Sequence, residues 1–354
     1  MSQLKAALTP ARLLDESGRL VRGATAPDAE TLLEGYRGLV FARRLNEQAG
    51  ALVRQGRLAV YPSSRGQEAC QVACASVLEE GDWLFPTYRD TAAIVARGVD
   101  PVEALTLLRG DWHCGYDPNE HKVAPQATPL ATQLLHAVGV GHAARLKGEN
   151  TVVMALCGDG ATSEGDFHEA CNFAAVFRVP VVFFVQNNKY AISVPLARQS
   201  VAPSLAAKAI GYGMPGIRVD GNDLPALEKV LGEAVARARA GEGPTLVEAD
   251  TYRIDSHTNA DDASRYRADD EVNDWLPRDP LLRVRTYLKA KGTLDDAREQ
   301  EIADAAEEMA AAVRAGVGAE TPVDPEEIFA HVYATPTPQL AEQRAVLRAE
   351  LEEA

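Results

Sequence analysis

Two polar clusters stand where apolar runs end: Gly158-Asp159-Gly160, and Gln186-Asn187-Asn188-Lys189-Tyr190. A carboxylate between two glycines and a side-chain amide are hard oxygen donors suited to Mg²⁺. That ion takes few protein ligands and completes its shell with phosphate oxygens and water. Each cluster alone reads as an ordinary turn, since glycine and asparagine serve turns well. Together, at the ends of two matching runs, they read as a seat for a metal-bridged diphosphate. A dinucleotide site would want G-x-G-x-x-G and an acid at the end of the next strand. Here Gly158, Gly160 and Gly165 have another spacing, and the second run ends in amides.

Other groups could join this site from loops. Arg89, in Trp83-Leu84-Phe85-Pro86-Thr87-Tyr88-Arg89-Asp90, carries a planar fork able to clamp a diphosphate. Its bland alternative is a solvated loop. His257 lies in residues 252–267, a polar stretch without helical period that reads as a surface loop. A loop histidine is a bystander unless something brings it to reacting atoms. In the aromatic loop from Trp112 to His121, the spacing of His113, Cys114 and His121 fits no common tetrahedral zinc set. His113 is expected to line the approach to the site.

The elements that must position these groups are legible around them. Residues 151–157 are apolar throughout, as a strand covered on both faces is, and residues 181–185 form a second such run. Between them a helix is expected, with Ser163 and Asp166 at capping-box spacing and an apolar stripe through Phe167, Ala170, Cys171 and Ala174. This is one right-handed βαβ unit. It places Asp159 and Asn188 beyond the carboxyl ends of parallel strands, where open α/β sheets bind ligands, beside a helix N-terminus that favours phosphate.

Further strands are expected within residues 209–223 and at 245–249, with a helix opening at Leu224-Pro225. Strands and helices alternating from about residue 60 to 255 predict a doubly wound parallel sheet. Residues 1–27 read as an N-terminal arm and 28–278 as the α/β domain, entered by an amphipathic helix that Asp28 caps. A serine is expected to cap the next helix, after Ser63-Ser64. Gly139 and Gly141 predict close helix packing. Residues 279–354 read as a C-terminal helical extension: one helix has Ile302, Ala305, Ala306 and Met309 on a face and ends near Gly316. Residues 323–333 and a tail from Pro338 follow.

The 354 residues include 36 basic and 51 acidic side chains, a net charge of −15 that argues against a nucleic-acid surface. Five cysteines, an odd number, do not make a disulfide framework, so a reducing cytoplasmic location is expected. The longest apolar run, residues 179–185, is too short to span a bilayer. No membrane association is expected.

The fuller text is more specific. Gly-Asp-Gly-Ala-Thr-Ser-Glu-Gly-Asp-Phe-His-Glu-Ala from Gly158, followed by Gln-Asn-Asn-Lys-Tyr-Ala-Ile-Ser-Val-Pro from Gln186, resembles the α subunit of the thiamine-diphosphate-dependent decarboxylating component of 2-oxo acid dehydrogenase complexes. The resemblance covers nearly everything after residue 30. It implies a doubly wound sheet of the thiamine-diphosphate-binding type, with Mg²⁺ held by Asp159, Asn188 and the main-chain oxygen of Tyr190. It assigns Tyr88 and Arg89 to the diphosphate, and Thr128 and Leu130 to the aminopyrimidine. Gly158, Gly160, Ala161 and Ile192 become further cofactor contacts. His257 matches an acid/base near the reactive carbon. The turn at residues 128–133 is similar to branched-chain members that hold K⁺, here through Ala127, Pro129, Thr132 and Gln133. Thr258 lies where mitochondrial relatives carry a regulatory phosphoserine, while Ala268 replaces a second one.

The reaction so implied is oxidative decarboxylation of a branched-chain 2-oxo acid, with reductive acylation of a lipoyl group on an acyltransferase component. The branched-chain resemblance rests on residues 128–133, 218–223, Asp261-Asp262, and Val332-Tyr333 with Pro338, Leu340 and Gln343. Pyruvate is the alternative substrate and acetoin a more distant one. A scaffold subunit without catalysis is the reading from another class, and intact Asp159, Asn188, Arg89 and His257 speak against it. Thiamine activation needs a carboxylate on the aminopyrimidine, which this fold supplies from a second domain. None is visible in this sequence, so the resemblance implies a separate β subunit in an α2β2 assembly. A tail face of Leu340, Leu347 and Leu351 could dock on such a partner.

Overall fold

The computed structural model describes residues 3–111, 113–318 and 324–353. Trp112 of the aromatic loop and Val323 at the start of the expected late helix lie outside them. Strands β1 (Trp83–Phe85), β2 (Val153–Gly158), β3 (Val181–Asn187), β6 (Gly216–Asp220) and β7 (Thr245–Asp250) form one parallel sheet in the order β1-β2-β3-β7-β6. Two short strands, β4 (Tyr190–Ala191) and β5 (Val194–Pro195), make an antiparallel hairpin directly after β3.

The apolar runs are continuous because both faces of the sheet are covered. Met154, Leu156, Val182, Phe184 and Val247 face the helices Glu68–Ser76 and Leu224–Arg239. Their neighbours Val153, Ala155, Cys157, Val181, Phe183 and Val185 face Thr132–Lys147 and the crossover helix Gly165–Val176. The sheet is therefore doubly wound, as the alternation of strands and helices predicts. Truncating a fully buried ring such as Phe183 to alanine would cost about 3–5 kcal/mol. Register then fixes the site: β2 and β3 pair from Val153↔Val181 to Gly158↔Gln186, so Asp159 and Asn188 leave the sheet at the same edge.

Several local expectations need correction. The Ser163/Asp166 capping box does not form. Asp159 leaves β2 in helical geometry and starts a 3₁₀ turn, Gly160–Ser163, so the α-helix begins only at Gly165 behind Glu164, without a side-chain cap. Ser163 instead donates to the Gln199 carbonyl, and Asp166 accepts from the Thr132 hydroxyl. The serine cap before Glu68–Ser76 is also absent: Gln67 occupies the cap without a side-chain capping bond, and Ser64 is committed to Asn46. Residues 83–85, read only as loop, pair with Val153–Ala155 as β1. Of the two helix glycines, Gly141 is the close-packing one, since a Cβ there would lie 2.7 Å from Val179; Gly139 has open space.

The chain's ends close the domain. The arm bonds along β6, with Ala11 N–H donating to the Arg218 carbonyl at 2.8 Å and Asp220 N–H to the Ala11 carbonyl at 3.1 Å. This covers an edge strand that would otherwise expose unpaired backbone. Helix Asp296–Val317 packs Val313 and Val317 against Leu45 and Leu52 of the long entry helix Ala29–Arg54. Asp28 caps that entry helix by accepting from Thr31 N–H, as expected. Between residues 324 and 333 the helix is only Glu327–Ala330, and the tail helix Pro338–Glu353 buries none of its residues.

Candidate active site

Asp159 is 1% exposed, and burial above all holds its carboxyl pKa above the usual carboxylate range. Its Oδ1 accepts from Asn188 N–H at 3.3 Å and its Oδ2 from Gln199 Nε2 at 2.7 Å. Lys189, whose charge partly offsets that burial, is paired with Asp250 instead. Among the described residues Asp159 therefore takes no salt bridge. Gly160 is required because a Cβ there would meet Ala191 at 2.7 Å, blocking the approach of the β4–β5 hairpin.

Asn188 is oriented by a buried relay of amides. Its Nδ2 donates to Gln67 Oε1 at 2.9 Å, Gln67 Nε2 donates to Gln186 Oε1 at 2.9 Å, and Gln186 Nε2 donates to Asp90 Oδ1 at 2.7 Å. Asp90 Oδ2 then accepts from the Thr87 N–H and hydroxyl. One chain of bonds thus runs from the Asn188 turn to the Tyr88-Arg89 loop. Beyond Asn188, Lys189 and Ile192 hold positive φ values of 78° and 55°. For β-branched Ile192 this is strained backbone at the cavity wall, a conformation the surroundings must enforce.

Arg89, 5% exposed, commits its fork to main-chain oxygens and one ring nitrogen. Nη1 donates to the Ser63 carbonyl at 2.8 Å, and Nη2 contacts the His257 carbonyl and His257 Nδ1, each at 3.0 Å. No carboxylate pairs with it among the described residues. Tyr88 meets the His257 ring edge-on, 6.0 Å between centroids.

His257 is held by charges rather than by regular structure. Desolvation first, then Arg89 and Arg253, lower its pKa to about 4, so it is neutral near pH 7. Both guanidinium groups approach Nδ1, at 3.0 and 3.5 Å, which makes Nδ1 an acceptor and leaves the ring proton on Nε2. The His257 main-chain N–H donates to Asp261 at 2.7 Å, and Asp261 also accepts from the Tyr266 hydroxyl. Arg253, 1% exposed, joins this loop to the hairpin: Nη2 donates to the Ile192 carbonyl and Tyr266 Oη, both at 2.8 Å, and Nη1 to the Tyr190 carbonyl at 3.4 Å.

These groups surround a cavity of about 140 Å³. Of the residues expected to touch the cofactor, it is lined by Tyr88, Arg89, Leu130, Gly158, Asp159, Gly160, Ala161, Asn188, Tyr190, Ile192 and His257; Thr128 is exposed outside the lining. Gln67, Thr87, Cys157, Gln186 and Ala191 also line it. Sequence reasoning missed the working parts of this set: the Gln67–Gln186 relay, and Arg253 with Asp261 and Tyr266. Amides at the end of an apolar strand, where β-propensity is low, were the available signal for Gln186. A larger polar hollow of about 980 Å³ lies behind the His257 loop, against Asn46 and Gly50 of the entry helix.

His113 does not line the cavity; its Nδ1 accepts from Gly115 N–H at 3.1 Å in its own loop, where Cys114 donates to the Tyr116 carbonyl. At the turn expected to hold K⁺, Ala131 has φ of 63°. Thr132 Oγ1 donates to Asp166 at 3.1 Å, and Gln133 Nε2 donates to the Leu156 carbonyl at 2.8 Å. Gln133 Oε1 is buried with no partner among the described residues.

The Dehydrogenase E1 component family matches residues 36–322 of the chain. The chain is similar to the 3-methyl-2-oxobutanoate dehydrogenase subunit alpha of Mycobacterium tuberculosis, 50% identical over 322 residues that cover 91% of this chain and 88% of that one. It is also similar to the pyruvate dehydrogenase E1 component subunit alpha of Staphylococcus aureus, 41% identical over 298 residues that cover 83% of this chain and 80% of the other. The matched region contains the whole sheet and every group around the cavity, and by it this chain belongs to the dehydrogenase E1 component family.

Proposed function

We propose that this chain is the α subunit of a thiamine-diphosphate-dependent dehydrogenase that oxidatively decarboxylates branched-chain 2-oxo acids. One observation carries the reading: a single small cavity has on its wall a buried carboxylate, Asp159, and a buried guanidinium, Arg89, neither of which makes a salt bridge among the described residues. Each is costly alone. Both would be satisfied by a Mg²⁺–diphosphate group, which Asp159 would hold through the ion and Arg89 through phosphate oxygens.

The donor set fits Mg²⁺. Asp159, the Asn188 amide oxygen and the Tyr190 main-chain oxygen are hard ligands, and one acid suffices where a diphosphate adds its own charge. Thiamine diphosphate supplies the electron sink that decarboxylation needs. The chain's own residues position and exclude. Arg89 anchors the loop beside the diphosphate end, the amide relay aims Asn188, and neutral His257 presents its Nε2 proton to the oxygen of the 2-oxo acid. Gln133 Oε1, buried with no partner among the described residues, supports K⁺ at its turn, with the Thr132 hydroxyl and the Ala127 and Pro129 carbonyls as co-ligands.

A β subunit completes the site in this reading. Ligand pockets of drug size enclose roughly 300–1,000 Å³, whereas this cavity is about 140 Å³. The remaining walls, and the carboxylate for the aminopyrimidine, come from the partner in an α2β2 assembly, and a lipoyl-bearing acyltransferase component takes the acyl group. Phe173, 53% exposed, and Val176, 66% exposed, give the crossover helix an apolar outer face suited to a subunit contact. The thiols of Cys70, Cys74, Cys114, Cys157 and Cys171 are free, which suits a cytoplasmic location. No helix among the described residues is long and apolar enough to cross a membrane.

Substrate choice leans on similarity: 50% identity to a chain named for 3-methyl-2-oxobutanoate against 41% to one named for pyruvate. The test is co-expression with the β subunit and an assay with an artificial electron acceptor. The reading expects kcat/KM for 3-methyl-2-oxobutanoate to exceed that for pyruvate by about tenfold or more, the range that one or two methyl groups in a fitted pocket supply. Comparable values would return pyruvate as the substrate, and activity of the α chain alone would remove the β subunit from the site.

A further inference from the structure

We propose that Gln199 is a positioning residue for the metal-binding carboxylate: its amide fixes which oxygen of Asp159 faces the ion and ties that carboxylate to the hairpin that brings the Tyr190 oxygen. The inference rests on the Mg²⁺ reading above.

Gln199 follows the 3₁₀ turn Leu196–Arg198, just beyond the β4–β5 hairpin. Its Nε2 donates to Asp159 Oδ2 at 2.7 Å and to the Val194 carbonyl at 2.8 Å. Both partners are pure acceptors, so the chemistry itself orients the amide. Its Oε1 is buried without a donor among the described residues, a cost that a smaller or apolar side chain would avoid. The bonds the amide does make are both donated by its NH₂ group.

The effect of those bonds follows from the two oxygens of Asp159. Oδ2 receives the short Gln199 bond, while Oδ1 receives the longer Asn188 N–H bond at 3.3 Å. Gln199 therefore arrests the carboxylate's rotation and leaves Oδ1 as the oxygen with lone pairs to spare. Through Val194 the same amide sets the distance between Asp159, on the β2 turn, and the hairpin after β3. A second tie reaches the same turn from further along the chain: Lys208 Nζ donates to the Thr162 carbonyl at 2.7 Å and to Thr162 Oγ1 at 3.1 Å, in the turn that Asp159 begins. Residues 196–208 are thus fastened at two points over the metal turn. Groups that orient a ligand in this way change metal affinity without touching the metal.

The experiment uses the α–β complex with the wild-type chain, Gln199→Ala and Gln199→Glu. Thiamine diphosphate binding is followed by tryptophan fluorescence at fixed cofactor, titrating Mg²⁺ and, separately, Ca²⁺. Unfolding midpoints are measured without divalent ions. Gln199→Glu, which keeps the shape but removes both donors, should raise half-saturating Mg²⁺ by about tenfold or more. Half-saturating Ca²⁺ should rise far less, because Ca²⁺ tolerates irregular shells and Mg²⁺ does not. Gln199→Ala should shift in the same order by a smaller factor, and its unfolding midpoint, free of the added charge of Gln199→Glu, should stay at the wild-type value. Wild-type Mg²⁺ dependence in both variants overturns the inference. So do equal shifts for the two ions accompanied by a lowered midpoint, which mark a structural role alone. A wild-type complex that binds the cofactor without any divalent ion removes the Mg²⁺ reading itself, and this inference with it.

Discussion

Two regions bring side chains to the same cavity, and they hold them by different physics. At the sheet edge, Asp159 and Asn188 are placed by the β2–β3 register and by neutral amides. In residues 252–267, His257 is placed by guanidinium groups and a carboxylate, with only a short 3₁₀ turn at Ala263–Arg265 nearby. The edge is built before any ligand arrives, because strand pairing fixes it. The loop depends on Arg89 and Arg253, two buried cations whose bonds go to carbonyls, a tyrosine hydroxyl and the histidine ring. A diphosphate oxygen would compete for those same donors. Ligand binding should therefore leave the edge in place and re-sort the loop.

The largest effect expected from this contrast is at the edge. Asp159→Asn keeps the volume and removes the charge that the ion needs. Breaking a buried charge pairing costs about 2–5 kcal/mol, so affinity for thiamine diphosphate with Mg²⁺ should fall roughly 30- to 5,000-fold. The cofactor-free protein should be no less stable, because burial already opposes the Asp159 charge. Calorimetric titration of cofactor and a urea midpoint check the two halves. A variant that binds normally would break the comparison, since the edge would then not be the metal's seat.

The edge was also the region that sequence patterning reached. Apolar runs, glycines flanking an acid, and amides after the second run follow directly from a sheet buried on both faces. What patterning did not reach is instructive. The capping box failed because the chain turns as a 3₁₀ helix first, and Asp166 is drawn to Thr132. β1 is three residues long, too short to show a period. The Gln67–Gln186 bond joins residues 119 apart, and Arg253 works through the carbonyls of Tyr190 and Ile192. Such bonds have no local signature, because they depend on which loops the finished sheet brings together. His257 itself was found only through family resemblance.

A middle-sized effect should separate the loop from the edge. Arg253→Met retains most of the buried volume but removes the bonds to Ile192, Tyr190 and Tyr266. Losing charge-assisted bonds of this kind costs about 1–2 kcal/mol, which as a barrier is roughly five- to thirtyfold in kcat. Mg²⁺ dependence should change less than in Asp159→Asn, because Asp159 and Asn188 keep their own partners and only the Tyr190 carbonyl loses one. Limited proteolysis should cut residues 254–267 faster than in the wild-type chain. A kcat unchanged alongside faster cutting would show that loop order and turnover are separate.

The smallest effect is a pH dependence of the loop's own stability. His257 has its pKa lowered from 6.5 to about 4 in the folded chain, so the folded state disfavours the protonated ring. Above about pH 6.5 the ring is neutral in both states and this stability is fully present. As pH falls from there toward about 4, the unfolded chain takes up a proton that the folded chain refuses, and stability is progressively lost. The ring is partly solvated, so screening keeps the loss small. Urea midpoints of wild type and His257→Asn should therefore run parallel above pH 6.5 and converge below it, as only the wild type loses this contribution. The edge offers the control. Asp159 has its pKa raised by burial, so its contribution is fully present at low pH and is lost as pH rises, the opposite sign to His257. If the His257→Asn profile parallels the wild type throughout, the two arginines do not hold the ring neutral, and the loop is positioned by its main-chain bonds to Asp261 and Arg89 alone.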